Sequence, residues 1–198
     1  MNKTMSRLVD YIEVNLPQSL KNHINRACKI GEDLSELNNV DLNKVTIALL
    51  GHDLYRAYNN KELLREAGKN NIYISEVEKH SPILLHGKLA SLKMKKKFKI
   101  FDNEILHSIK WHTSAHKYMS KIFKVVFLSD KIEPEKIKKF KDLTTISKMA
   151  YRDLDQAMLM YLNYNIKFRI NKNQLIHPYT IQARNSLQKE MTKNSALI

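Results

Sequence analysis

Asp41-Leu42-Asn43-Lys44-Val45-Thr46-Ile47-Ala48-Leu49-Leu50-Gly51-His52-Asp53 is the stretch on which the fold turns. An aspartate opens it as an N-cap would. Apolar residues recur at Val45, Ala48 and Leu49, and His52 follows on the same face one turn after Ala48. This spacing is helical rather than alternating. The stretch then closes on adjacent histidine and aspartate side chains, and it predicts a helix over 41–58. Outward from it the same periodicity predicts helices over 3–15, 18–38, 60–69, 74–80, 82–95, 102–113, 118–131, 142–165 and 179–190. Ser81-Pro82 reads as a cap followed by a first-turn proline, and Asp102 as the cap of the next helix. The segment Asn165 to Pro178 is open between a short hairpin around Asn171-Lys172-Asn173 and a loop. Only 4 Gly and 4 Pro punctuate the chain. The expectation is an all-α, single-domain helical bundle over 1–198, with a core at about 15–190 and a polar tail at 191–198.

The bulk properties narrow the class. At 198 residues with 43% hydrophobic content the chain can bury a real core. No run approaches the ~20 apolar residues of a membrane helix, and Met1 to Arg7 lacks the apolar block of a secretory signal. A single cysteine, Cys28, leaves no internal disulfide and no cysteine-based zinc site, so a reduced cytoplasm is expected. Cys28 itself reads as a small core residue. The net charge of +14 suits a polyanionic partner, whether nucleic acid or nucleotide, although Lys, Asn and Ile crowd the whole chain. The cluster from Lys93 to Lys99 reads as the cationic end of a helix.

The chemistry-bearing residues fall on the apolar stripes. His23 lines up with Ala27, Ile30 and Leu34, His86 with Ile83 and Ala90, and His112 with Ile105 and Ile109. Asp130 extends the row Phe123, Val126, Phe127. These spacings point four histidines and two aspartates inward. One buried histidine is most simply a hydrogen-bonded core residue. Two buried carboxylates are different, because an unpaired buried charge is costly. A divalent cation satisfies the whole set. All-N/O ligation suits iron, manganese or another divalent transition metal better than tetrahedral zinc. The expected chemistry is attack of a metal-bound hydroxide on phosphorus.

The order His23, then His52-Asp53, then Asp130 resembles the metal-binding pattern of the HD-domain superfamily of phosphohydrolases. Leu84-Leu85-His86-Gly87, Trp111-His112-Thr113, Leu128 to Pro134 and His177 to Asn185 resemble segments of its YqeK family, symmetrical diadenosine-tetraphosphate hydrolases. The resemblance runs over roughly residues 15–190. It implies one iron ion on His23, His52, Asp53 and Asp130, with His86, His112 and Thr113 along the nucleotide's phosphates. His86 and His112 on a second ion is the binuclear alternative. The substrate-binding set it implies is His23, Asp53, Arg56, His86, His112, Thr113, Asp130 and Lys136, with Asp53, His86 and His112 as catalytic groups. This chain departs from the family twice. Lys136 stands where the family has an arginine, and Ser114-Ala115 where it has a small-residue pair ending in glycine.

Arg56 is balanced between a phosphate contact and a surface ion pair. His80, His107 and His116 fall off the inward stripes and are expected to face solvent. His177 is expected to serve the C-terminal fold, and Trp111 to pack. The substrate expected is a small-molecule nucleotide, with no membrane and with nucleic acid as the weaker partner; a homodimer is left open. The rivals are a nucleotidase or phosphodiesterase acting on another nucleotide, and a basic RNA-binding helical protein.

Overall fold

The computed structural model describes residues 3–195, and among these every regular element is helical. The α-helices are α1 (Lys3–Asn15), α2 (Gln18–Asn38), α3 (Leu42–Gly51), α4 (Asn60–Lys69), α5 (Glu76–His80), α6 (His86–Phe98), α7 (Asn103–Trp111), α8 (Lys121–Lys131), α9 (Pro134–Lys139), α10 (Leu143–Ala150), α11 (Leu154–Asn171) and α12 (Pro178–Ser195). A 3-10 turn, Pro82–Leu85, leads into α6. α2 packs on α3 and α8, and α3 and α6 pack on α7. α11 joins α8 to α10 and α12. The core runs through all of these, from Leu8 and Leu34 to Phe127 and Leu187.

Local chemistry fixes many helix starts. Asp41 accepts from the amides of Asn43 and Lys44, and Asp102 from those of Glu104 and Ile105. Lys44 then bridges to Asp102 at 2.9 Å and Glu104 at 2.8 Å, tying the start of α3 to that of α7. Capping boxes at Asn59/Glu62 and Ser75/Glu78 open α4 and α5. Pro82 does begin its helix, but Ser81 makes no side-chain cap.

Several boundaries differ from expectation. The helix expected over 41–58 stops at Gly51, and residues 52–58 form turns. The 82–95 helix divides into the 3-10 turn and α6, and 102–113 ends at Trp111. The 142–165 helix breaks at Tyr151–Asp153, where Asp153 caps α11 by accepting from Asp155 and Gln156. Segment 165–178 is no hairpin. α11 continues to Asn171, and a short loop with Asn173 at φ 52° leads to α12. The six-residue α9 was not anticipated, because its Pro134 start and lysine-rich body carry little apolar pattern. α12 runs to Ser195, past the expected end at 190, and 196–198 lie outside the described residues.

Candidate metal centre

All six inward residues are buried and converge from α2, α3's end, the start of α6, α7's end and α8. Asp130 and Asp53 stand at the middle. Nε2 of His23 lies 3.1 Å from Asp130 Oδ1 and 3.7 Å from Asp53 Oδ2. Nε2 of His52 lies 3.5 Å from Asp53 Oδ2 and 3.7 Å from Asp130 Oδ1. The other oxygen of Asp53 is 3.1 Å from His86 Nε2 and 3.6 Å from His112 Nε2. Asp53 therefore joins two groups of imidazoles.

Helix ends set the rings. His52 and His112 are the C-caps of α3 and α7, and His86 follows the 3-10 turn. Carbonyls three residues back accept from Nδ1 there, and Ile83 O takes the His86 amide as well. His52 Nδ1 donates to Leu49 O at 2.6 Å, His112 Nδ1 to Ile109 O at 2.8 Å, and His86 Nδ1 to Ile83 O. With Nδ1 as donor, each Nε2 carries a lone pair toward the centre.

Among the described residues, two of the four Nε2 atoms lack hydrogen-bond partners, those of His23 and His52, and both are buried. The Nε2 atoms of His86 and His112 face each other at 2.8 Å, which two lone pairs tolerate only around a proton or a cation. His23, His52 and Asp130 can bring one ligand atom each within 4.8 Å of one another, and so can His52, Asp53 and His112. The donor set fits a divalent transition metal: nitrogen and carboxylate oxygen, without thiolate.

Electrostatics keep the carboxylates ionised. Burial would raise Asp53, but His52, His112 and His86 outweigh it and hold the carboxyl well below the usual range. Burial likewise works against Asp130, and Lys131, Lys136, His23 and His52 together hold it low. Lys131 Nζ is 2.6 Å from Asp130 Oδ2. Lys136 Nζ bonds both Asp130 Oδ1 and the Asp130 carbonyl, the latter at 2.6 Å. Burial, with His86 and His52 beside it, pushes His112 down to about 3 against the pull of Asp53. Its ring is neutral at ordinary pH.

The remaining expected residues fall near or away from this point. Thr113 Oγ1 donates to Leu84 O at 3.4 Å, holding the loop after α7 to the 3-10 turn. Arg56 is exposed, and its amide donates to Asp53 O at 2.9 Å. His177 serves the fold as expected, accepting Tyr179 N on Nδ1 and Thr180 N on its carbonyl. Cys28 is half-buried and packs on the core, its thiol pushed up to about 12 by burial. His80 is exposed. His107 and His116 are half-buried instead of solvent-facing: they pack edge to face, and His116 stacks on Trp111 at 5.1 Å. A separate cavity of about 800 Å³, lined by Lys88, Lys110, Trp111, His177 and Tyr179 among others, includes none of the six converging residues.

Two features were not legible beforehand. Glu133 is buried, its Oε1 3.5 Å behind His23 Nδ1. Ala115 adopts φ 61°, a left-handed conformation that costs an alanine and suits a glycine.

The helical bundle gathers histidines and aspartates from five places around one buried point that could hold a metal ion. The chain belongs to the HD domain family, whose model matches residues 21–135. It is 29% identical over 158 residues to the symmetrical bis(5'-nucleosyl)-tetraphosphatase of Halalkalibacterium halodurans, covering 80% of this chain and 83% of that protein. It is 28% identical to the protein of the same name from Bacillus subtilis, covering 78% and 82%. Among solved structures it is similar to a Clostridium acetobutylicum protein described as a predicted HD superfamily hydrolase involved in NAD metabolism. The TM-score is 0.87 and the identity 29%, with 93% of this chain and 97% of that one covered. This chain is an HD-domain hydrolase. No described helix is long and apolar enough to cross a membrane.

Proposed function

We propose that this protein splits diadenosine tetraphosphate symmetrically into two ADP, using a divalent transition metal, iron or manganese, held by His23, His52, Asp53 and Asp130. The observation that carries the reading is the buried meeting of six His and Asp side chains with unpartnered Nε2 atoms beside Lys136. The names of the relatives supply the substrate. A lone cysteine fits a cytoplasmic setting.

When bound, the cation supplies Lewis-acid activation of water and offsets charge developing at phosphorus. The chain's residues do the rest. Asp53 and Asp130 are ionised and hold the positive charge that a polyphosphate needs opposite it. His86 and His112 lie along the phosphates. The neutral ring of His112, its Nδ1–H given to Ile109, offers there an Nε2 lone pair that can accept a hydrogen bond from water or from His86 rather than donate one to phosphate. Lys136, anchored at Asp130, neutralises the phosphate beside the metal, and Thr113 and Arg56 line the same approach. One ADP-sized half is gripped here, and the other leaves as ADP.

Chromatography of the products of diadenosine tetraphosphate tests this directly. ADP alone is the expected outcome, whereas ATP with AMP overturns symmetrical cleavage. A second reading, hydrolysis of another nucleotide, is favoured by the NAD metabolism named for the Clostridium structure. A nucleotide screen in which an NAD-related compound is the better substrate would establish that reading instead.

A further inference from the structure

We infer that Glu133 is a positioning residue of the metal centre: one buried carboxylate holds the ring of His23 and, as the cap of α9, carries Lys136 to Asp130. The inference rests on the metal-centre reading above.

His23 is the exception among the four histidines. The other three sit at helix ends and hold Nδ1 on the backbone carbonyl three residues back. His23 lies inside α2, where carbonyls are committed to the helix. Among the described residues its Nδ1 finds no backbone acceptor; Glu133 Oε1 stands at 3.5 Å instead. A carboxylate behind a ligating imidazole selects the tautomer with Nε2 free and fixes the ring's direction.

Burying that carboxylate is costly, and the structure compensates it. Glu133 is 2% exposed, and its Oε2 accepts from Nε of Arg26. Arg26 lies on α2 one turn beyond His23, so the pair clamps Glu133 against the same helix that bears the ligand. Oε2 also accepts the amide of Glu135 at 3.1 Å, capping α9. The amide of Lys136 donates to the Glu133 carbonyl at 2.9 Å, and its Nζ returns to Asp130. A cap alone needs no buried charge, since serine or asparagine at the surface suffices. The arginine partner and the histidine contact are what a cap does not explain.

The test uses Glu133→Gln, which keeps the size and a cap oxygen but removes the charge. Parent and variant are stripped with chelator and titrated with Mn²⁺ by calorimetry, and unfolding of the metal-free proteins is followed by circular dichroism. Mn²⁺ affinity should fall roughly 10–100-fold in the variant, with metal-free unfolding little changed. Glu133→Ala, which also loses the cap, should further raise the KM for nucleotide through Lys136. If Glu133→Gln does not fold, Arg26→Met carries the test, and a fall in Mn²⁺ affinity of threefold or more is expected. Affinity within twofold of the parent in the folded variant overturns the inference while leaving the metal site standing. A parent that binds no Mn²⁺ overturns the metal reading itself, and the inference with it.

Discussion

Gly87 follows His86 at the point where α6 crosses α7. A methyl group there would lie 2.9 Å from the carbonyl oxygens of both Ile109 and Lys110, and 3.2 Å from Nδ1 of His112. Ordinary contact begins at 3.4 Å, so Gly87→Ala requires a separation of about 0.5 Å (3.4 less 2.9). The obstacles are backbone atoms, which cannot swing aside. Overpacking of this kind costs about 1–3 kcal/mol, and alanine's better helix propensity offsets up to about 1 kcal/mol. With the full offset the net loss is up to about 2 kcal/mol, or as much as roughly 8 °C in melting temperature for a chain of this size. Activity should suffer more than stability. The crossing sets the 2.8 Å spacing of the His86 and His112 Nε2 atoms, and a half-ångström displacement of such groups costs turnover on the order of tenfold. Gly68, in α4, is the control. A methyl there meets nothing within 4 Å, so Gly68→Ala should gain about 0.5–1 kcal/mol. Urea unfolding and steady-state hydrolysis of diadenosine tetraphosphate measure both variants. A Gly87→Ala protein as stable and as active as the parent would refute the steric argument.

Asp53→Ala should strip the centre of most of its metal by elemental analysis, because Asp53 faces all four histidines; full retention contradicts the assignment. Lys136→Ala should weaken nucleotide binding by about 1–3 kcal/mol, with Lys136→Arg binding at least as well as the parent. Equal Michaelis constants in all three proteins would make Lys136 a partner of Asp130 only. Ala115→Gly should stabilise by up to about 1 kcal/mol, the left-handed strain relieved exceeding the entropy that glycine adds to the unfolded chain; a lower melting temperature speaks against it. Glu78 gives a pH signature. Burial raises its carboxyl, but Lys88 and the hydroxyl and amide of Ser75 hold it below its ordinary 4.5. A depressed carboxylate contributes in full above that value and loses its contribution as pH falls below it. The stability gap between the parent and Glu78→Gln should therefore narrow from pH 7 to pH 4 in urea unfolding, and a constant gap would exclude the ion pair as its source.

The inward histidines and aspartates were legible because they share stripes with residues that had to be buried. Val45, Ala48 and Leu49 are wholly buried, and they fix the face on which His52 appears. The same logic placed His23 with Ala27 and Leu34, and Asp130 with Phe123 and Val126. Glu133 escaped because it sits beyond the end of α8, in a segment without periodicity, and its meaning depends on Arg26, 107 positions away in sequence. His107 and His116 misled for a related reason. Periodicity reports a helix's inner face, but the ring of His116 is covered by Trp111 and Tyr179, the latter from α12.

The missed boundaries have a chemical cause. The expected helices cross His52-Asp53 and His86 and reach Thr113, whereas the structure ends or begins a helix at His52, His86 and His112. Apolar periodicity continues across these points, so nothing in it signals a break. The break nevertheless suits the chemistry. Inside a helix each carbonyl already accepts from an amide four residues on, and a ring bonding it must share the acceptor. At the ends of α3 and α7 the last carbonyls lack that amide, and the imidazoles of His52 and His112 take those of Leu49 and Ile109, while Ile83 O accepts both the ring and the amide of His86. Each Nε2 is then turned inward with a lone pair. A site needing several such rings must draw them from several helix ends, which favours many short helices over a few long ones. His23 tests the rule from the other side: lying inside a helix, it has no free carbonyl, and a buried glutamate stands in that place.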